Sequence, residues 1–168
     1  MSPDAAALTH DTVDTGVFRR VLGNFCSGIT VVTALSPSGP LGLTCQSFSS
    51  LSLDPPLVLF SPARTSVTWP RIREIGRFCV NVLAEDHRQI SVQMARSGTD
   101  KFAGVRWACT PLGAPRLDGA AAWLDCTLHA EHDGGDHTVV VAAVRGLSAD
   151  QAARPLLYYQ GRYAALAE

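Results

Sequence analysis

The chain has 168 residues, 46% hydrophobic and 17% charged, and its 14 basic and 15 acidic side chains leave a net charge of −1. That length suits one domain with a substantial core, and the balanced charge, without a basic run, gives nucleic acid no electrostatic footprint. No apolar stretch is long enough to span a bilayer, and the first twenty residues carry acids rather than a signal-peptide pattern, so no membrane partner is expected.

Residues 1–14, "MSPDAAALTHDTVD", read as a disordered polar arm ahead of a single domain over 15–168. Asp14 or Thr15 is the expected N-cap of a helix that carries Val17, Phe18, Val21, Leu22 and Phe25 at helical spacing and stops at Gly23 or Gly28. Ile29 to Leu35 is β-branched and ends in a hairpin turn built from Pro37 and Gly39, with a strand resuming at Leu41. After the Asp54-Pro55-Pro56 turn, Leu57 to Phe60 is apolar at every position, as an interior strand would be. Arg77 to Leu83 is another strand. Ile90, Val92, Met94 and Ala95 mark a helix stopped by Gly98.

"AAWLDCTLHAEHDGGDHTVVVAAVRGL" is a hairpin whose turn is Asp133-Gly134-Gly135-Asp136. Along its first strand Leu124, Cys126, Leu128 and Ala130 are expected on one face and Asp125, Thr127, His129 and Glu131 on the other. A last strand and a turn around Gly161 close the chain. Six or seven strands joined by turns, with two or three short helices, indicate a mainly β fold, an antiparallel barrel with helical insertions.

Several chemistries are absent. No G-x-G-x-x-G follows a strand, and there is no G-x-x-x-x-G-K-[ST], H-E-x-x-H or G-x-S-x-G. His129, His132 and His137 lie on a polar strand face or beside a Gly-Gly turn, which suits solvated imidazoles better than metal ligands, so no metal is expected. Five cysteines (Cys26, Cys45, Cys79, Cys109 and Cys126) are odd in number and never spaced C-x-x-C. That excludes a disulfide framework and points to a reducing cytoplasm. Nothing near Cys45 in sequence would activate it as a nucleophile.

The stretch "GLTCQSFSSLSLDPPLVLF" stands out. Small hydroxyl side chains cluster around Phe48 just before an apolar strand, which makes a poor core. They serve either as a surface loop or as a cradle for a ligand bearing phosphate and hydroxyl groups. With "SPARTSVTWP", "GRFCVNVL", "DKFAG", "GDHTVVVAAV" and "PLLYYQGRYAAL" following in order, the chain from Phe18 to Leu166 resembles the short-chain flavin reductases. These are the small partners of two-component flavin-dependent monooxygenases. It is most similar in look to the reductases that serve hydroxylases of phenolic or steroid-derived rings.

The resemblance implies a split β-barrel with a Greek-key core, a homodimer, and an FMN or FAD groove near the dimer interface. It implies hydride transfer from NADH, with NADPH less favoured, to a flavin delivered to a separate monooxygenase. Flavin contact carries over to Val31, Val32, Thr33, Thr44, Cys45, Gln46, Ser47, Phe48, Ser49 and Ser50. Ser61, Arg64, Ser66 and Trp69 match positions near the phosphate or adenine end, and Lys101 and Phe102 close the same region. Nicotinamide contact carries over to His137, Tyr159, Gly161, Arg162 and Tyr163; no catalytic side chain is required, although His137 is a candidate.

Each has a plainer role open to it: Val31 and Thr33 as strand formers, Trp69 as core, His137 as a solvated turn residue, the tyrosines as dimer packing. Gln46 departs from the alanine or serine-asparagine patterns common in the family and leaves FMN against FAD open. A non-catalytic flavin-storage protein and an oxidase of the pyridoxamine phosphate type are the competing readings.

Overall fold

The computed structural model describes residues 13–98 and 100–167; the expected arm lies almost wholly outside them. Helix α1 (Thr15–Leu22) starts where the Asp14 carboxylate accepts the Val17 N–H at 2.8 Å and ends at Gly23, as its sequence indicates. It buries none of its own residues.

Twelve strands follow among the described residues: β1 (Ser27–Gly28), β2 (Thr30–Ser36), β3 (Gly39–Cys45), β4 (Ser49–Leu53), β5 (Pro56–Phe60), β6 (Arg77–Val82), β7 (Trp107–Cys109), β8 (Pro115–Leu117), β9 (Ala122–Gly134), β10 (His137–Ala149), β11 (Leu157–Tyr159) and β12 (Arg162–Ala164). Helices α2 (Trp69–Ile75) and α3 (Arg88–Ala95) interrupt them, with one short 3-10 turn at Glu85–His87. The chain is thus mainly β with a few short helices. Short elements raise the strand count above the expected six or seven. Helix α2 and strand β4 carry no clear periodicity in sequence: α2 contains Pro70 near its start, and β4 is largely serine. Helix α3 ends at Ala95 rather than at Gly98, because Arg96 is already extended. No helix among the described residues is long and apolar enough to cross a membrane.

Seven strands form one antiparallel sheet in the order β3-β2-β6-β9-β10-β5-β4. Its two edges, β3 and β4, are consecutive in sequence and joined by Gln46, Ser47 and Phe48 alone. Laid flat, six inter-strand gaps of about 4.8 Å would separate those edges by about 29 Å. Four virtual bonds of 3.8 Å bridge only about 15 Å. The sheet must therefore roll until its edges approach, and they meet without pairing to each other. A smaller sheet, β1-β11-β12, and the β7-β8 ribbon lie outside it.

Strand β2 sends alternate residues to two cores. Val32 and Ala34 join the cluster that fills the roll, with Phe60, Trp69, Phe78 and Val140. The rings of Phe60, Trp69 and Phe78 meet edge to face at 5.3–5.8 Å. Val31 joins the outer cluster with Leu83, Met94, Phe102 and Leu117 under α3.

The β9-β10 hairpin turns as expected, but its alternation breaks. Ala130 pairs with Val141 and Leu128 with Ala142, so His129 is an extra residue in β9. This bulge turns Glu131 onto the inner side, where its carboxylate accepts the Trp69 indole N–H at 2.8 Å. Asp125 corrects the expected polar face in another way: it is buried, taking a hydrogen bond from the Thr110 hydroxyl at 2.7 Å and another from the Leu112 N–H at 2.8 Å.

Gly42 in β3 marks a close approach between layers. A Cβ there would stand 2.6 Å from Met94 Sδ and 3.2 Å from the Phe102 ring. Both side chains belong to the outer core, so Gly42→Ala overpacks it and is expected to cost about 1–3 kcal/mol. Urea unfolding monitored by circular dichroism measures this; an unchanged midpoint would contradict the packing.

Candidate functional site

Where the edges of the rolled sheet meet without pairing, a cavity of about 760 Å³ opens. One wall is the seam itself, Thr44 to Ser49. The opposite wall is the loop from Ser61 to Thr68, and the end of α3 and Lys101 form the base. Leu22, the last residue of α1, with Phe25 just beyond it and Ser27 cover one side, and His137 stands at another.

The walls are tied together by specific bonds. Ser47 Oγ accepts the Ser61 N–H at 2.8 Å and lies 3.2 Å from the Ser61 carbonyl, locking the seam to the end of β5. Cys45 Sγ lies 3.2 Å from the same Ser47 hydroxyl. The Arg64 N–H donates to the Asp136 carbonyl and the Thr138 N–H to the Pro62 carbonyl, which fastens the 61–68 loop to the start of β10. His137 Nδ1 lies 2.7 Å from Asp136 Oδ1, and that contact holds the Asp136 carboxyl below its ordinary value.

Lys101 is the chain's single lysine. Its Nζ donates to the carbonyls of Gly42 at 2.9 Å and Met94 at 2.8 Å and reaches Thr68 Oγ1 at 3.3 Å. Among the described residues it has no carboxylate partner. Burial lowers its pKa from the ordinary lysine value, because the charged form has lost water without gaining a counter-charge. An uncompensated cation in a cavity wall attracts anions. The Ser27 hydroxyl oxygen is also buried and lacks a hydrogen-bond partner, which a bound polar group would supply. Both features fit a ligand with phosphate and hydroxyl groups.

Of the residues named from the sequence, Thr44, Cys45, Gln46, Ser47, Phe48, Ser49, Ser61, Ser66, Lys101 and His137 line this cavity. The others lie elsewhere. Val31, Val32 and Thr33 are fully buried in β2, a strand paired on both sides, so they offer no free edge. Ser50, one residue along β4, does not reach the cavity. Arg64 turns to Asp133 at 2.7 Å, where the Gly135 N–H first, and then this guanidinium, hold the carboxyl below its ordinary value. Trp69 is core, and Phe102 packs edge to face on Trp107.

Tyr159, Gly161, Arg162 and Tyr163 sit on the β11-β12 hairpin and do not line the cavity. Tyr163 instead packs on Tyr158, exchanges a hydrogen bond with Ser91 at 3.0 Å and lies under Arg88. Leu22, Phe25, Ser27, Thr65, Val67, Thr68, Met94 and Ser97 were not indicated by the sequence. The one available signal was the apolar stripe of α1, which has no core to enter.

The buried thiols Cys79 and Cys126 do not suit nucleophilic chemistry. Burial first, then the neighbouring Asp125, pushes Cys126 up to about 12, and the same two causes, in the same order, raise Cys79 further. No group of three or more His, Cys, Asp or Glu among the described residues is placed to hold a metal ion.

The family model of the flavin reductase like domain matches residues 22–167. The chain is 47% identical over 157 residues to the flavin-dependent monooxygenase reductase subunit HsaB of Rhodococcus jostii, covering 94% of this chain and 80% of that protein. A flavin reductase of Pseudomonas putida is 39% identical, with 99% of each chain covered. Among solved structures, the NADH:FAD oxidoreductase SgcE6 of Streptomyces globisporus superposes with a TM-score of 0.88 at 36% identity, covering 97% of this chain and 99% of that one.

The sign of the pH effect follows from the lowered pKa of Lys101. Its desolvated ammonium weakens the fold at neutral pH, and that cost is relieved as pH rises through the lowered pKa toward the ordinary lysine value. Its pull on an anion runs the opposite way, present below the lowered pKa and lost above it. Affinity for FMN is therefore expected to fall on the alkaline side, starting below the ordinary lysine range. Lys101→Met should flatten that limb and weaken FMN by about tenfold, read by fluorescence titration across pH.

Proposed function

The chain belongs to the flavin reductase-like family, and on that premise we propose that it transfers a hydride from NADH to FMN or FAD and releases the reduced flavin to a separate flavin-dependent monooxygenase. The observation that carries the reading is the seam cavity. It is large enough for a cofactor, walled by hydroxyls and unpaired backbone, and carries a half-buried cation with no carboxylate partner among the described residues. The names of the similar proteins support NADH as donor and a monooxygenase as recipient.

Within the cavity, Gln46, Ser47 and Phe48 lie outside any strand ladder, which leaves main-chain N–H groups free of sheet pairing. They would hold the polar edge of the ring, while Leu22, Phe25 and Met94 give it an apolar wall and keep out water. Ser66, Thr68 and Lys101 would take the phosphate. When bound, the flavin supplies the electron sink for the nicotinamide hydride. No side-chain acid or base is needed for that step, so the residues bind, align and exclude water. His137 stands at the cavity wall on a turn fixed by the Pro62–Thr138 bond, and we assign it to the nicotinamide donor.

The finer architecture belongs to the same proposal. The rolled sheet with unpaired edges fits a split barrel, and residues 15–168 fit a single domain. A homodimer is supported by α1 and the turn that follows it, which leave Phe18 at 54%, Val21 at 61% and Phe25 at 79% exposure, an apolar face that a second copy would cover. Because Phe25 also walls the cavity, such a dimer would complete it.

Purified protein should consume NADH, followed at the nicotinamide absorption band, only when FMN or FAD is added; loss of NADH independent of flavin, or no loss, would refute the assignment. His137→Ala is expected to raise KM for NADH roughly three- to tenfold with kcat little changed. In sedimentation the wild type should run as two chains and Val21→Asp as one.

A further inference from the structure

Gln93, in the last turn of α3, does not line the seam cavity. Its side-chain nitrogen donates to the Lys101 carbonyl at 3.0 Å and to the Ala103 carbonyl at 2.9 Å. A carbonyl can only accept, so the amide must turn its NH2 group to this pair, and both of its N–H bonds are used there. Lys101 and Ala103 lie in no helix or strand. Among the described residues no other hydrogen bond reaches the main chain of Lys101 or the carbonyl of Ala103.

This tie crosses a second one. The Lys101 ammonium runs back to α3 and donates to the carbonyl of Met94, the residue after Gln93, at 2.8 Å. Phe102, between the two carbonyls that Gln93 holds, is buried in the outer core with Met94. The 101–103 segment is therefore pinned by an aromatic ring and by a side-chain amide. A lysine stem is long and flexible, and where its charge stands depends on where its Cα is held. With the segment pinned, the ammonium reaches the Gly42 carbonyl at 2.9 Å and Thr68 Oγ1 at 3.3 Å and lines the cavity from a fixed base. Without the amide, both carbonyls lose their donor and the main chain of Lys101 is free to turn toward water.

We propose that Gln93 is a positioning residue for flavin binding: by holding the Lys101 and Ala103 carbonyls it sets the Lys101 ammonium where the flavin phosphate rests. The inference rests on the flavin reading of the cavity, with Lys101 as a phosphate partner. Gln93 touches no ligand, and its effect passes through one cation. Its loss therefore acts on flavins that carry a phosphate and spares riboflavin, which has the same ring and ribityl chain without one.

The test compares FMN and riboflavin by fluorescence titration for wild type, Gln93→Met, Lys101→Met and the double variant. Gln93→Met keeps the side chain's length and helix propensity and removes both donors. It is expected to weaken FMN about three- to tenfold and to leave riboflavin within about twofold. In the Lys101→Met background it brings no further loss of FMN affinity. Gln93→Glu, equal in length but offering acceptors to the two carbonyls, weakens FMN at least as much and stands in if the Met variant does not fold. Unchanged FMN affinity in both Gln93 variants overturns the inference. Equal weakening of riboflavin and FMN overturns it too, since the amide would then serve the shape of the cavity as a whole, and so do losses that multiply in the double variant. In each of those cases the flavin cavity stands. A wild-type chain that binds neither flavin defeats the flavin reading along with it.

Discussion

Three residues, Gln46 to Phe48, decide the shape of this protein. They connect the two outermost strands of a seven-stranded sheet, and a peptide that short cannot bridge a flat sheet of that width. Rolling follows from chain length alone, before any side chain is considered. The roll creates an interior for the aromatic trio Phe60, Trp69 and Phe78 and an exterior for α3. It also leaves a seam where backbone is brought close without being paired. A closed ladder there would stiffen the fold but consume the N–H groups that a polar planar ligand needs.

The side chains around the seam divide the work. Ser47, bonded to Ser61, sets the spacing between the walls. Lys101 spans from β3 to the end of α3 and the start of α2, so one ammonium fixes three elements while keeping its charge unopposed. The serines and threonines are small enough to let a ligand reach the main chain. The apolar cover comes from the far end of α1, which has no anchorage in the core; its placement depends on Gly23, Asn24 and the hairpin residue Gln160, whose N–H donates to the Gly23 carbonyl and whose amide reaches Asn24.

Much of this was legible in the residues. The α1 cap, the Pro37–Gly39 turn and the β9-β10 hairpin follow from local rules, because local chemistry governs them, and the hydroxyl-rich run from Thr44 to Ser49 lines the cavity. What escaped depends on distant partners. Val31 to Thr33 look like a surface for a ring, yet β6 covers the side of β2 that β3 does not. Arg64 looks free to meet phosphate, yet Asp133, far along the chain, claims it. Glu131 reads as solvent-facing until one extra residue at His129 reverses the alternation. Strand β4, largely serine, acquires its identity only from pairing with β5.

The solitary lysine has a chemical corollary. A chain of this size normally spreads many side-chain amines over its surface, so acylating reagents scatter among them. Here the only ε-amino group sits in the wall of the seam cavity, and its lowered basicity makes the uncharged, nucleophilic form more accessible than on an ordinary lysine. Any acyl group placed on that nitrogen would erase the cation in the cavity wall, so a covalent mark at one atom would change the charge of the whole chamber.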